Sequence, residues 1–251
     1  MRHEKNRNRN DARTGHVCLV TAFGHEHMET TMSKYEVCLE ISGPTAMWTR
    51  PDSGDCPVSY PAPTYSAVKG IFEAILFNQA IEVVPRKVEV CAPITYHTYS
   101  TNYGGPLRKS DQMKKGASYQ LLASVLVNPC YRFYAVARPN MRTNGQLSPK
   151  TGAWLKRTTS PAHAYQDIFN RRLKRAQSHY IPCLGWKEFI PDYVGVFRPE
   201  TQVCADIDMP IPSMLRQVFP NGLNSDMHYV YDQQVGIAGG VLEYPEKSHV
   251  E

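Results

Sequence analysis

Lys34-Tyr-Glu-Val-Cys-Leu-Glu-Ile41 and Thr64-Tyr-Ser-Ala-Val-Lys-Gly-Ile-Phe-Glu-Ala-Ile-Leu-Phe-Asn78 are the two stretches that decide the fold. The first alternates, putting Val37, Leu39 and Ile41 on one face as a half-buried strand requires. Ser42-Gly43-Pro44 then stops it. The second spaces Val68, Ile71, Phe72, Ile75 and Leu76 along one helical face, behind a Thr64 hydroxyl placed to cap the first turn. Ile81 to Tyr96 follows, rich in β-branched residues around Val83-Val84 and Val88 to Val90, and reads as a strand pair or an edge strand because Pro85 and Pro93 interrupt it. The resulting order is strand, helix, strand. Between strand and helix, Pro51, Pro57, Pro61 and Pro63 stiffen an extended loop that carries Trp48, Arg50, Tyr60 and Tyr65.

Outward from this unit the patterning is weaker. Met1 to Thr31 lacks an apolar period and reads as a flexible basic arm, an upstream extension of a folded protein that begins near Met32. Thr101 to Gln112 reads as a loop, Ala117 to Val127 as helix or strand, and Tyr131 to Ala137 as a strand. Pro139 to Thr159 reads as a polar, mobile segment. Ser160-Pro161 starts a second helix through His163 to Ala176, with hydroxyl at the cap and proline in the first turn. Short strands follow near Tyr193 to Phe197, Val203 to Ile207, Tyr229 to Tyr231 and Val241 to Tyr244. The expected division is an arm at 1–33, a main domain at 34–190 and a β-rich subdomain at 191–251.

Charge is distributed unevenly. Residues 101–187 hold fifteen Lys/Arg against Asp111 and Asp167, whereas residues 188–251 hold three Lys/Arg against ten acids. A segment that basic calls for a polyanion or an acidic surface, and phosphate contacts supply most sequence-independent nucleic-acid affinity. The alternative is a solvated face partly neutralised by the acidic tail. No apolar run approaches the roughly 20 residues of a membrane helix, so no membrane partner is expected. The seven cysteines show no C-x-x-C pairing for zinc or redox work, which points to a reducing cytoplasm.

No Walker or dinucleotide loop, H-E-x-x-H or G-x-S-x-G is present, so neither metal nor cofactor is expected. A metal-free ribonuclease needs an acid, a base and a cation at the scissile phosphate. His163, Tyr165 and Arg171 are the candidates, although any basic helix with a histidine looks the same. Single-stranded RNA is recognised by rings that stack on bases beside cations that meet phosphates. The residues of that type are Trp48, Arg50, Tyr60, Tyr65 and Lys69, then Arg108, Lys109, Lys114 and Lys115, then Arg171, Arg172, Lys174 and Arg175. Each ring serves equally well as core packing.

Two ordered blocks resemble the Cas-five family of CRISPR Cascade complexes, subtype I-C. Gly43-Pro-Thr-Ala-Met-Trp-Thr-Arg-Pro51 and Val58 through Ile75 are similar to the family's F-T-R-P-like turn and its V-S-Y-x-x-x-x-P-S-A-x-x-G-I-x-E-A-I segment. Asp167-Ile-Phe-Asn-Arg-Arg172 and Pro182-Cys-Leu-Gly-Trp-Lys-Glu-Phe189 resemble its D-I-F-x-R-R and P-x-L-G-x-R-E-F. Weaker echoes lie at Val127 to Tyr131 and Gly240-Val-Leu. The resemblance implies an α+β fold: a modified ferredoxin-like, RRM-type domain with a small appended antiparallel β-sheet. It implies a subunit that holds the 5′ handle of CRISPR RNA beside Cas-seven backbone and Cas-eight large subunits in antiviral defence, reaching target DNA through the complex.

Subtype I-C members also cut precursor RNA without metal, through an aromatic or histidine just after E-A-I and a Lys-His pair shortly before D-I-F. Here Leu76 follows Glu73-Ala-Ile75, and Ala164-Tyr165 stands where the pair belongs. Neither leucine nor alanine transfers protons. The expectation is therefore an RNA-binding subunit whose cleavage is lost or relocated. The alternatives are a metal-independent endoribonuclease acting through His163, Tyr165 and an arginine, and a general single-strand binder outside CRISPR.

Overall fold

In the computed structural model the alternating stretch forms β1 (Glu36–Ser42), with Val37, Leu39 and Ile41 buried on one face. The structure describes residues 34–103, 110, 114–115, 119–140, 147–219 and 226–246. The chain divides into two units, Met1–Met32 and Ser33–Glu251, and the described residues lie in the second. The expected basic arm falls outside them.

Strand β2 (Thr45–Ala46) and a 3-10 turn at Pro51–Ser53 precede α1 (Tyr65–Ile75), which starts where the hydroxyl suggests: Thr64 Oγ1 accepts from the Ala67 amide at 3.3 Å. Strands β3 (Ile81–Val90), β4 (Tyr96–Tyr103), β5 (Tyr119–Val127) and β6 (Cys130–Pro139) follow, then helices α2 (Pro149–Lys156) and α3 (Pro161–Lys174). The chain closes with β7 (Tyr193–Gly195), β8 (Met209–Gln217), β9 (Val230–Ala238) and β10 (Val241–Glu243).

Seven strands pair in the order β7-β1-β6-β3-β10-β9-β8, and β2-β5-β4 form a second, three-stranded sheet; every strand pair is antiparallel. The architecture is mixed α/β built on antiparallel sheets. Helices α1 and α3 pack on the large sheet and on each other, with Phe72 and Phe169 rings 5.5 Å apart. Tyr131, Phe133, Ala135 and Ala137 of β6 face the same buried layer as Val37, Leu39 and Ile41. Alternation in β6 and in β1 therefore builds one core, because only one pleat face of each strand can meet the helices.

Several expectations change. The ambiguous run before Val127 is strand β5. The segment expected to be polar and mobile contains α2, whose first turn is capped by Ser148 Oγ accepting from the Thr151 amide at 3.2 Å. Ser160 occupies the cap position of α3 but does not cap it, and instead bonds the Tyr35 hydroxyl at 3.1 Å. The boundary expected at residue 190 is crossed by the main sheet: β7 pairs with β1 and β10 pairs with β3, so the chain after 191 completes the sheet.

The proline-rich loop is packed inward. Trp48 is 2% exposed, and its indole nitrogen donates to the Tyr131 hydroxyl at 3.4 Å. Pro182 to Phe189 folds over this loop: the Met47 amide donates to the Leu184 carbonyl at 2.9 Å, and Trp186 Nε1 donates to Thr49 Oγ1 at 3.0 Å. Gly185 makes the approach possible. Its φ is +94°, and a Cβ there would stand 1.8 Å from the Met47 carbonyl oxygen. The two sequence blocks singled out above thus meet as one structural joint.

Candidate nucleic-acid interface

Helix α3 has one apolar and one cationic side because Ala162, Tyr165, Phe169 and Leu173 recur at helical spacing and are buried. Arg171, Lys174 and Arg175 are exposed at its end, and among the described residues none has an acidic partner. Arg172 turns inward, donating from a guanidinium nitrogen to the Ile75 carbonyl at 2.8 Å.

That bond is one of four made to three successive carbonyls. The last carbonyls of a helix have no partner within it. At the end of α1, Ala74 O accepts from the His179 and Tyr180 amides at 2.7 and 2.9 Å, Ile75 O from Arg172, and Leu76 O from the Tyr165 hydroxyl at 2.7 Å. The C-terminus of α1, the inner side of α3 and the segment after it are therefore one rigid unit. Around it stand Phe77, Tyr180 and Ile181, respectively 54%, 67% and 72% exposed. The His179 and Tyr180 rings lie 4.3 Å apart.

The expected catalytic trio does not assemble. His163 and Tyr165 are two residues apart on a helix, hence about 200° apart around its axis. His163 faces outward, 3.6 Å from Asp167, whereas Tyr165 is 1% exposed in the core. Burial pushes the Tyr165 phenol above its ordinary range, so it keeps its proton and serves as a donor to Leu76. Arg171 lies eight residues beyond His163, about 12 Å along the helix.

The aromatic loop is likewise not a stacking surface. Trp48, Tyr60 and Tyr65 are all buried. Tyr60 accepts from the Leu215 amide at 3.2 Å, and Tyr65 is sandwiched by Tyr244, edge-on at 5.7 Å, and the Arg216 guanidinium at 3.9 Å. Arg50 is held by Asp52 through two bonds of 3.1 and 2.7 Å, and Lys69 lies between Glu73 and Glu82 at 3.9 and 3.8 Å. Lys114 and Lys115 are exposed; Arg108 and Lys109 lie outside the described residues.

The sheet face opposite the helices is also occupied. Glu40, fully buried, accepts from Arg198 Nε at 2.6 Å, Arg132 Nε at 3.3 Å and Thr201 Oγ1 at 2.8 Å. Burial works to raise the Glu40 pKa, but the bonds from Arg198, Thr201 and Arg132 outweigh it and hold the carboxyl below its ordinary value. Phe197 packs edge-on against Tyr134 at 5.3 Å. Arg132, one of the cations of the basic middle segment, is thus spent on this carboxylate together with Arg198.

Sequence reasoning did not single out Phe77, His179 and Tyr180, which the structure leaves exposed. Their signal was there: aromatics directly after a helical period or a basic run, out of phase with either buried face. Among the described residues no group of three His, Cys, Asp or Glu is placed to hold a metal, and no helix is long and apolar enough to cross a membrane.

A family model described as CRISPR-associated protein Cas5, of Cas5d type, matches residues 36–234. A Thermus thermophilus protein named CRISPR pre-crRNA endoribonuclease Cas5d is 29% identical over 154 residues, which are 60% of this chain and 60% of that protein. The chain thus matches less than two thirds of that relative's length. A Mannheimia succiniciproducens protein of the same name is 27% identical over 199 residues, covering 76% of this chain and 81% of its own. A crystal structure of a CRISPR-associated protein superposes with a TM-score of 0.60 at 18% identity, over 85% of this chain and 93% of that one, a likeness of fold.

Proposed function

Because the chain belongs to the CRISPR-associated Cas5 family, in its Cas5d branch, we propose that it binds CRISPR RNA and caps the 5′ handle as a subunit of a Cascade complex. On this reading it sits beside Cas-seven and Cas-eight type subunits in the cytoplasm and reaches target DNA through them. The helix-bearing part of its sheet runs β7-β1-β6-β3, with α1 between β1 and β3 and α3 between β6 and β7. That order supports the ferredoxin-like reading, with β2-β5-β4 as the appended sheet and β10-β9-β8 as an extension.

The observation that carries the RNA-binding role is the exposed cluster Arg171, Lys174 and Arg175 at the end of α3, none of which has an acidic partner among the described residues. Three such cations neutralise phosphates without giving up a competing ion pair. Handle binding without cleavage is favoured because positions 76 and 165 meet through the Tyr165 hydroxyl and the Leu76 carbonyl. The resemblance puts proton-transferring groups there, but here one is aliphatic and the other is buried and firmly protonated.

The second reading, a metal-independent endoribonuclease, is favoured by the activity in the names of both relatives. The test uses purified protein, labelled repeat RNA, scrambled RNA and EDTA. Tight binding of repeat RNA without product, weakened about tenfold or more by R171E/K174E/R175E with a shallower salt dependence, supports handle binding. A defined product in EDTA that disappears in His163→Ala overturns it in favour of the nuclease. Equal affinity for scrambled RNA overturns it in favour of a general single-strand binder.

A further inference from the structure

Phe77, His179 and Tyr180 fall outside both the buried faces of the helices and the joint between the two sequence blocks. We propose that they form a stacking platform for one or two unpaired bases of RNA, flanked by Arg171, Lys174 and Arg175 as phosphate contacts. The proposal rests on the RNA-binding reading and adds the side chains that would receive the bases.

Three observations carry it. First, the platform is rigid where it is exposed. The Gln177 amide bonds the Arg172 carbonyl at 2.9 Å, and the His179 and Tyr180 amides both bond Ala74 O. The backbone beneath the rings is thus fixed before any ligand arrives, which lowers the ordering cost of binding. Second, Tyr180 and Phe77 present most or half of their surface to solvent, and Ile181 beside them is 72% exposed. Phe77 lies three residues beyond Ala74, the carbonyl that anchors both amides. Third, the segment that carries His179 and Tyr180 is basic in sequence. No acidic residue occurs between Asp167 and Glu188, while Arg171, Arg172, Lys174, Arg175 and Lys187 do.

Rings beside unpaired cations match an RNA strand better than a protein surface, since a strand brings phosphates and flat bases together. The strand must be single, because paired bases do not expose their faces. Stacking and phosphate contact need no cleavage chemistry.

The experiment measures affinity for single-stranded repeat RNA by anisotropy, and stacking by quenching of 2-aminopurine placed along the same RNA, using the full chain. Tyr180→Ala is expected to weaken binding about tenfold and to relieve the quenching at one or two positions, with the salt slope unchanged. Tyr180→Phe keeps the ring and is expected to keep both signals, which separates stacking from a folding defect. If wild type binds while Tyr180→Ala and Phe77→Ala both stay within twofold and keep the quenching, the platform is refuted and the RNA-binding reading stands. If the variants bind RNA normally but lose association with a protein subunit, the platform is refuted in favour of a protein contact. If wild type fails to bind repeat RNA at all, both fall.

Discussion

Arg216→Met tests how the last third of the chain is locked to α1. Arg216 and Asp232 join β8 to β9 with side chains 6% and 2% exposed, through two bonds of 2.9 and 3.0 Å. The same guanidinium donates to the Pro245 carbonyl at 3.0 Å and lies 3.9 Å over the Tyr65 ring at the start of α1. Removing one partner of such a pair leaves a buried charge, which costs about 3–5 kcal/mol. At about 2–4 °C per kcal/mol for a domain of this size, Tm falls by roughly 10 °C.

The pH dependence has a definite sign. Burial raises the Asp232 pKa, and Arg216 pulls against it; the net direction is upward from the unfolded value. A raised carboxyl pKa means stability is fully present below the unfolded pKa and is lost as pH rises through the folded one. Without Arg216 the folded pKa climbs further, so the penalty is largest at pH 7 and smaller at pH 4.5, on the side where Asp232 gains a proton. Urea unfolding followed by the fluorescence of buried Trp48 measures both. R216M/D232L, which removes both charges, should recover most of the loss. A loss below about 1 kcal/mol at pH 7, or an equal loss at both pH values, refutes the reasoning.

Two further outcomes follow from backbone geometry. Gly185→Ala should cost at least about 3 kcal/mol, since it adds a carbon at 1.8 Å from Met47 O and forces a side chain at φ +94°; thermal denaturation would show it, and a variant as stable as wild type would remove Gly185 from the joint. Ala176 has φ +50° just after α3, where its amide bonds Leu173 O at 3.2 Å, so Ala176→Gly should stabilise by about 0.5–1 kcal/mol in urea titrations, and a loss of stability would contradict the left-handed cap.

Local pattern was legible where local physics decided it. The alternation of Val37, Leu39 and Ile41 and the 3.6-residue spacing of Val68 to Ile75 each point one face at the core whatever lies opposite. Strand β5 could not be separated from a helix, because a short apolar run satisfies both periods until a partner strand takes up its backbone groups. Helix α2 was missed because its polar sequence has only a weak apolar stripe; Ser148 and Gln79, which accepts from the Ser148 amide at 3.0 Å, place it.

The sequence alone determined the family blocks, the first helix and first strand, and the excess of positive charge in the middle of the chain. Only the tertiary structure decided which cations are available. Arg132 and Arg198 meet a carboxylate 158 residues or fewer away in sequence, and Tyr165 and Arg172 turn inward to cap α1, while Arg171, Lys174 and Arg175 do not. Ion pairing and burial depend on distance in space, and composition carries no record of who folds against whom. For the same reason Trp48, Tyr60 and Tyr65 became core while Phe77 and Tyr180 stayed at the surface.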